Sequence, residues 1–166
     1  MKRIGIILTS DNRSKAYLQK IILNNIKIDS IIFMNNNKQN KEFSNEEKEI
    51  SIQYGFNISE SVEDTLAKNK INYHEFKFVD INHPTLIEYL KKSNIDFCIF
   101  TGGGILKEDV LKSGPKFIHL HPGIVPEYRG STCFYYSMLN EDKCGVTAFI
   151  MNEGLDTGPI IHQRMF

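Results

Sequence analysis

Apolar residues in this chain come in short runs separated by polar turns, and that rhythm predicts its elements. Ile4 to Leu8 is an apolar run ending in TSDNRS, which reads as a buried first strand and a turn. Ser14 is placed to cap a helix reaching about Asn25, with Tyr17, Leu18, Ile21 and Ile22 at helical spacing. Ser30 to Met34 reads as a second buried strand. Asn35 to Ser51 is polar and charged, so an exposed excursion is expected, helical over Asn45 to Ile52. Ser61 to Lys68 reads as a short helix with Ser61 and Asp64 at its start. Tyr73 to Val79 alternates like a strand. His83 to Lys92 (HPTLIEYLKK) has proline early, lysines late and apolar residues between, the pattern of a helix. Ile95 to Phe100 is an apolar strand broken by TGGG. Lys107 to Lys112 supplies a turn or two of helix, and Lys116 to Leu120 a strand running into HPG. A helix over Ser131 to Asn140 and strands over Gly145 to Met151 and Ile160 to Phe166 complete the series.

Strands that are apolar on both faces and alternate with helices predict an α/β, Rossmann-like, mostly parallel sheet flanked by helices. Ligands of such sheets lie beyond the carboxyl ends of the strands. TSDNRS, TGGG and HPG each stand at such an end, so a site is expected there.

Bulk properties narrow the classes. A chain of 166 residues favours one domain, 1–166, able to bury roughly 70% of its unfolded surface. Lys+Arg and Asp+Glu balance at 20 each, which predicts no electrostatic attraction to nucleic acid or membrane. Cys98, Cys133 and Cys144 form no CxxC pair, and Cys98 sits in an apolar run as a small core residue. A reducing, cytoplasmic setting fits. The apolar run near the start is too short for a secretion signal, and no stretch approaches the roughly 20 residues of a membrane span.

His119 and His121 carry the first chemical signal. Residues i and i+2 of a strand share a face, so both imidazoles lean toward one spot. Three readings fit this pair: a hydrogen-bonded turn, part of a metal chelate, and acid/base or electrophilic catalysis. The second signal is NEGLDTGPII, Asn152 to Ile161. Alone it is an ordinary turn of Asp, Gly and Pro. Between two strands it can also return Asp156 to the sheet edge, where the carboxylate would orient His121 or accept a proton.

Together, HLHPGIVPEYRG and GLDTGPII resemble the catalytic domain of the formyltransferase family, as does TGGGIL followed by VL. That family includes methionyl-tRNA, glycinamide ribonucleotide and sugar N-formyltransferases. Its strand ends Asn-x-His, its next loop ends Pro-x-Tyr/Phe-Arg/Lys-Gly, and its acidic loop reads Asp-x-Gly-Pro-Ile. The resemblance implies a catalytic set of His119, His121 and Asp156. His121 and Asp156 match directly, whereas His119 stands where the family has asparagine. A histidine can still donate a ring N–H to an oxyanion. The resemblance also implies N10-formyltetrahydrofolate as cosubstrate, with no metal. Backbone groups around Gly104, Ile105, Leu106, Asn152 and Leu155 would read its pterin. TGGG lacks the spacing of a dinucleotide loop.

The implied reaction is formyl transfer to a primary amine. Ser10, Asn12, Arg13, Tyr128 and Arg129 are the expected acceptor contacts. The family's methionyl-tRNA enzyme adds an RNA-binding domain for which 166 residues leave no room, and the balanced charge gives no footprint for tRNA. Tyr128, Tyr135 and Tyr136 offer flat faces that suit a sugar. The expected acceptor is therefore a small-molecule amine, an amino sugar of surface glycans, with nucleic acid not expected and a homodimer left open. The alternatives are a methionyl-tRNA or glycinamide ribonucleotide type of enzyme, and a metal-dependent hydrolase built on His119, His121, Asp156 and His162. The family continues with a helix after the strand that matches 159–166, so a C-terminal helix or extension is expected to be missing.

Overall fold

The computed structural model describes residues 1–35, 42–102 and 104–166. Among these there are seven strands and six helices, in two compact units. The first unit comprises Met1–Ile81 and Thr101–Ile105. The second comprises Asn82–Phe100 and Leu106–Phe166.

In the first unit β1 (Ile4–Thr9) pairs in parallel with β2 (Ser30–Met34), and β2 with β3 (His74–Phe76). Ile6, Ile7, Leu8, Ile32, Phe33 and Met34 are fully buried. This accounts for their continuous apolar runs, since a strand covered on both faces has no polar side. Helix α1 (Asn12–Leu23) inserts Leu18 into that core. Its N-cap is Asp11, whose carboxylate accepts from the Ser14 amide at 2.7 Å. Ser14 is therefore not the cap. Its buried hydroxyl accepts from the Thr9 amide at 2.9 Å and lies 2.7 Å from the Thr101 hydroxyl. Helix α2 (Asn45–Gln53) opens with a Ser44–Glu47 capping box, and α3 (Val62–Lys68) is capped by Ser61. Phe43 is buried, and the Lys15 ammonium lies over its ring while donating to the Ile58 carbonyl. Burial pushes the Lys15 pKa down. Residues 36–41 of the predicted excursion lie outside the described residues. Only His74–Phe76 of the predicted third strand pairs.

In the second unit α4 (Pro84–Lys92) is capped by His83, whose Nδ1 accepts from the Thr85 amide. Strand β4 (Phe97–Phe100) pairs in parallel with β5 (Lys116–His121), and the short α5 (Glu108–Leu111) lies between them in sequence. Helix α6 (Cys133–Glu141) follows. Strands β6 (Gly145–Ile150) and β7 (Ile160–Met165) then add to β5 in antiparallel fashion. Phe117 and Phe149 are fully buried, each worth roughly 1.5–3 kcal/mol of transfer free energy. The chain is α/β with mostly parallel strands and intervening helices, as its pattern predicts.

Candidate active site

Strand β5 runs one residue beyond its apolar stretch, so that both histidines are held in the sheet. His119 faces Phe149 of β6 and His121 faces Thr147. Their ring centroids are 6.2 Å apart. His119 is half-buried, with Nδ1 3.5 Å from the Phe100 carbonyl. His121 is 3% exposed.

The chain after His121 curls back over that ring. The His121 Nε2–H donates to the Tyr128 carbonyl at 2.8 Å. A carbonyl oxygen only accepts, so Nε2 carries the proton. The Thr147 hydroxyl pins the curl from beneath. It donates to the Gly123 carbonyl at 2.7 Å and accepts from the Val125 amide at 3.2 Å. Gln163 of β7 donates to the Val125 carbonyl at 2.7 Å and to the Thr147 hydroxyl at 3.2 Å.

Asp156 comes from the loop between β6 and β7. Its φ is +51°, a left-handed conformation that Asp adopts more readily than most residues. Its Oδ2 accepts from the Gly130 amide at 2.8 Å and lies 3.5 Å from His121 Nδ1. That is too long for a hydrogen bond, and the two groups form an ion pair only when both ring nitrogens carry protons. Gly158 lets this loop return to the sheet, because a Cβ there would collide with the Ile150 carbonyl. The ligating atoms of His119, His121 and Asp156 all lie within 4.8 Å of one another. These three form a cluster able to hold a metal ion, and His162 of β7 is not part of it.

The other expected contacts are placed as follows. Asn152 accepts from the Gly154 amide and the Thr157 hydroxyl, so its side chain organises the 152–157 loop. Leu155 is exposed and would touch a Cβ built on Gly130, which brings the 128–130 and 152–156 loops together. Arg129 is exposed on the first of these loops. The Tyr128 hydroxyl donates to Glu141 at 2.6 Å, and this carboxylate holds the phenol above its usual pKa. Leu106 is buried. In the first unit Gly104 and Ile105 are exposed, as are Asn12 and Arg13. The Ser10 hydroxyl is buried without a hydrogen-bond partner among the described residues. An open cavity of about 430 Å³ in the second unit is lined by Ile124, Val125, Tyr128, Glu141, Ile160 and Gln163, among others, and by none of the three clustered residues.

Sequence reasoning missed Cys133, Thr147 and Gln163. Cys133 Sγ lies 3.2 Å from His121 Nε2 and donates to the Pro122 carbonyl at 3.1 Å. Its place straight after YRGST was the available signal.

Comparison with known proteins gives a family match over residues 2–166, to the model described as formyl transferase. A methionyl-tRNA formyltransferase of Sulfurovum sp. (strain NBC37-1) is 42% identical over 81 residues, covering 48% of this chain and 26% of that protein. The chain thus spans about a quarter of the length of that relative. A phosphoribosylglycinamide formyltransferase from Streptococcus pneumoniae TIGR4 superposes with TM-score 0.65 at 18% identity, covering 99% of this chain and 82% of that one. A sugar N-formyltransferase from Shewanella sp. FDAARGOS_354 gives 0.61 at 15% identity, covering 99% and 57%. At these identities the likeness establishes the shared fold.

Proposed function

The chain belongs to the formyl transferase family, and from that premise we propose that it transfers a formyl group from N10-formyltetrahydrofolate to a primary amine. The observation that carries this reading is the convergence of His119, His121 and Asp156 within 4.8 Å. The amine nitrogen attacks the formyl carbon and the carbonyl oxygen becomes an oxyanion. His119, a half-buried member of the cluster, donates a ring N–H to it. The proton leaving the attacking nitrogen passes to the His121–Asp156 pair and from there to the folate nitrogen, which departs with the electrons of the broken C–N bond as the oxyanion collapses to the new formamide. One oxyanion donor is worth about 3 kcal/mol of transition-state stabilisation. The exposed 152–155 loop, beside the cluster in the second unit, supports the pterin contacts.

For the acceptor, the α-amino group of an aminoacyl-tRNA now stands ahead of an amino sugar. The relative named above is a methionyl-tRNA enzyme. The length argument against tRNA loses force, because the chain matches only part of such a protein. Of the three tyrosines that suit a sugar, Tyr128 has its hydroxyl engaged by Glu141, while Tyr135 and Tyr136 are exposed on α6. At the start of α1 the Asp11 carboxylate opposes a phosphorylated acceptor and the exposed Arg13 favours one.

The test begins with calorimetry of metal-free protein against a non-transferable 10-formyl-folate analogue, repeated with zinc and no folate. Folate binding without metal is expected. One equivalent of zinc with no folate affinity overturns the reading in favour of a metal site. Release of tetrahydrofolate is then followed with methionyl-tRNA and with an amino sugar. Turnover with the sugar alone reverses the acceptor order.

A further inference from the structure

The His121 ring sits in a cage that the formyl-transfer chemistry does not itself require. Two groups converge on its Nε2, the Tyr128 carbonyl at 2.8 Å and the Cys133 sulfur at 3.2 Å, with Gly123 beside them. A Cβ on Gly123 would stand 2.6 Å from the Tyr128 carbonyl, 2.8 Å from Cys133 Sγ and 3.1 Å from His121 Nε2. Glycine is thus what lets carbonyl, thiol and imidazole close together. Cys133 is 2% exposed and opens α6. Its S–H points to the Pro122 carbonyl at 3.1 Å, which turns the sulfur lone pairs toward the imidazole.

We propose that Cys133 is a positioning residue for His121. Its sulfur shares the Nε2 proton with the Tyr128 carbonyl, fixing the ring with Nε2–H inward and Nδ1 toward Asp156. This deepens the reading of the same site and rests on it for the kinetic consequence alone. Burial raises the thiol pKa, and the Asp156 charge adds to that, so the S–H donor persists. Nδ1 is then the ring nitrogen left for proton traffic, 3.5 Å from the Asp156 carboxylate. Without the sulfur, one weak acceptor and the space it fills are lost, and the ring gains freedom to turn.

The experiment uses protein labelled with ¹⁵N-histidine. Long-range ¹H–¹⁵N correlation is expected to place a slowly exchanging proton on His121 Nε2. Cys133→Ala should broaden that signal and lower kcat roughly tenfold or more, as loss of orientation does, with KM for the folate unchanged. Cys133→Ser, which keeps a hydrogen-bonding group, should restore most of both. An unchanged Nε2–H signal and kcat in Cys133→Ala overturns the proposal. If that variant does not fold, the wild type still decides. A hydrogen-bonded S–H stretch for Cys133 supports the proposal, and a free-thiol stretch or a proton on Nδ1 alone overturns it. A wild type with the expected spectra but no formyl transfer leaves the positioning intact and removes the functional reading.

Discussion

Asp156 combines a charge, a hydrogen bond and an unusual backbone angle, and substitutions can separate the three. Asparagine accepts from the Gly130 amide and tolerates the φ of +51°, but carries no charge. Asp156→Asn is therefore expected to keep its urea midpoint while formyl transfer falls about a hundredfold or more. Asp156→Ala should lose activity and also about 1–2 kcal/mol of stability, read from the same urea curves. Ser10 predicts the opposite sign. Its buried hydroxyl has no partner among the described residues, so Ser10→Ala should raise stability by about 1 kcal/mol in the absence of ligand. If Ser10 meets the acceptor, the same change should raise KM for it. Cys98 supplies a pH dependence. Burial lifts its thiol from 9.0 to about 12. Because the folded pKa is the higher one, its stabilisation is full below about pH 9 and is lost as pH rises from there toward 12. Melting temperatures should fall over that window, and Cys98→Ala should flatten the fall.

At the scale of elements, the start of α1 discriminates among acceptors. Asp11→Ala should cost about 1 kcal/mol through loss of the N-cap, whereas Asp11→Asn keeps the cap and removes the charge. If the carboxylate is what excludes phosphate, Asp11→Asn should gain affinity for inorganic phosphate by calorimetry and Asp11→Ala should be less stable. Position 11 also illustrates how far elements were legible. Asp11 and Ser14 are both good caps, and the sequence pattern does not say that the tertiary fold will claim the Ser14 hydroxyl for Thr9 and Thr101. The second strand was legible to the residue, because Ile31 to Met34 are apolar without interruption and turns bound them. Strand β5 outran its apolar stretch because His121 is held by pairing with Thr147, a long-range partner. The antiparallel direction of β6 and β7 likewise depends on pairing partners. Of the candidate site, His119, His121 and Asp156 were legible through motif and strand periodicity. Cys133 was not, since only the curl from Pro122 to Thr132 brings its sulfur back to the ring.

For the whole molecule, alternation of strand and helix was enough to predict the α/β class, and it recurs across 99% of the chain in the Streptococcus pneumoniae fold. None of the helices among the described residues is long and apolar enough to cross a membrane. Exposed apolar side chains line one strand. All six residues of β7 are exposed, among them Ile160, Ile161 and Met165, and Leu139 of α6 is 82% exposed. Strand β7 pairs with β6 on one side, and stands last in the strand order. An outer strand with apolar side chains and backbone amides open to solvent is a template for another strand. Handled on its own at high concentration, this polypeptide should be colloidally unstable. Light scattering should grow with protein concentration, and Ile161→Lys should suppress it without touching His119, His121 or Asp156. The colloidal weak point would then be a strip of six residues, separable by one substitution from the chemistry at the end of β5.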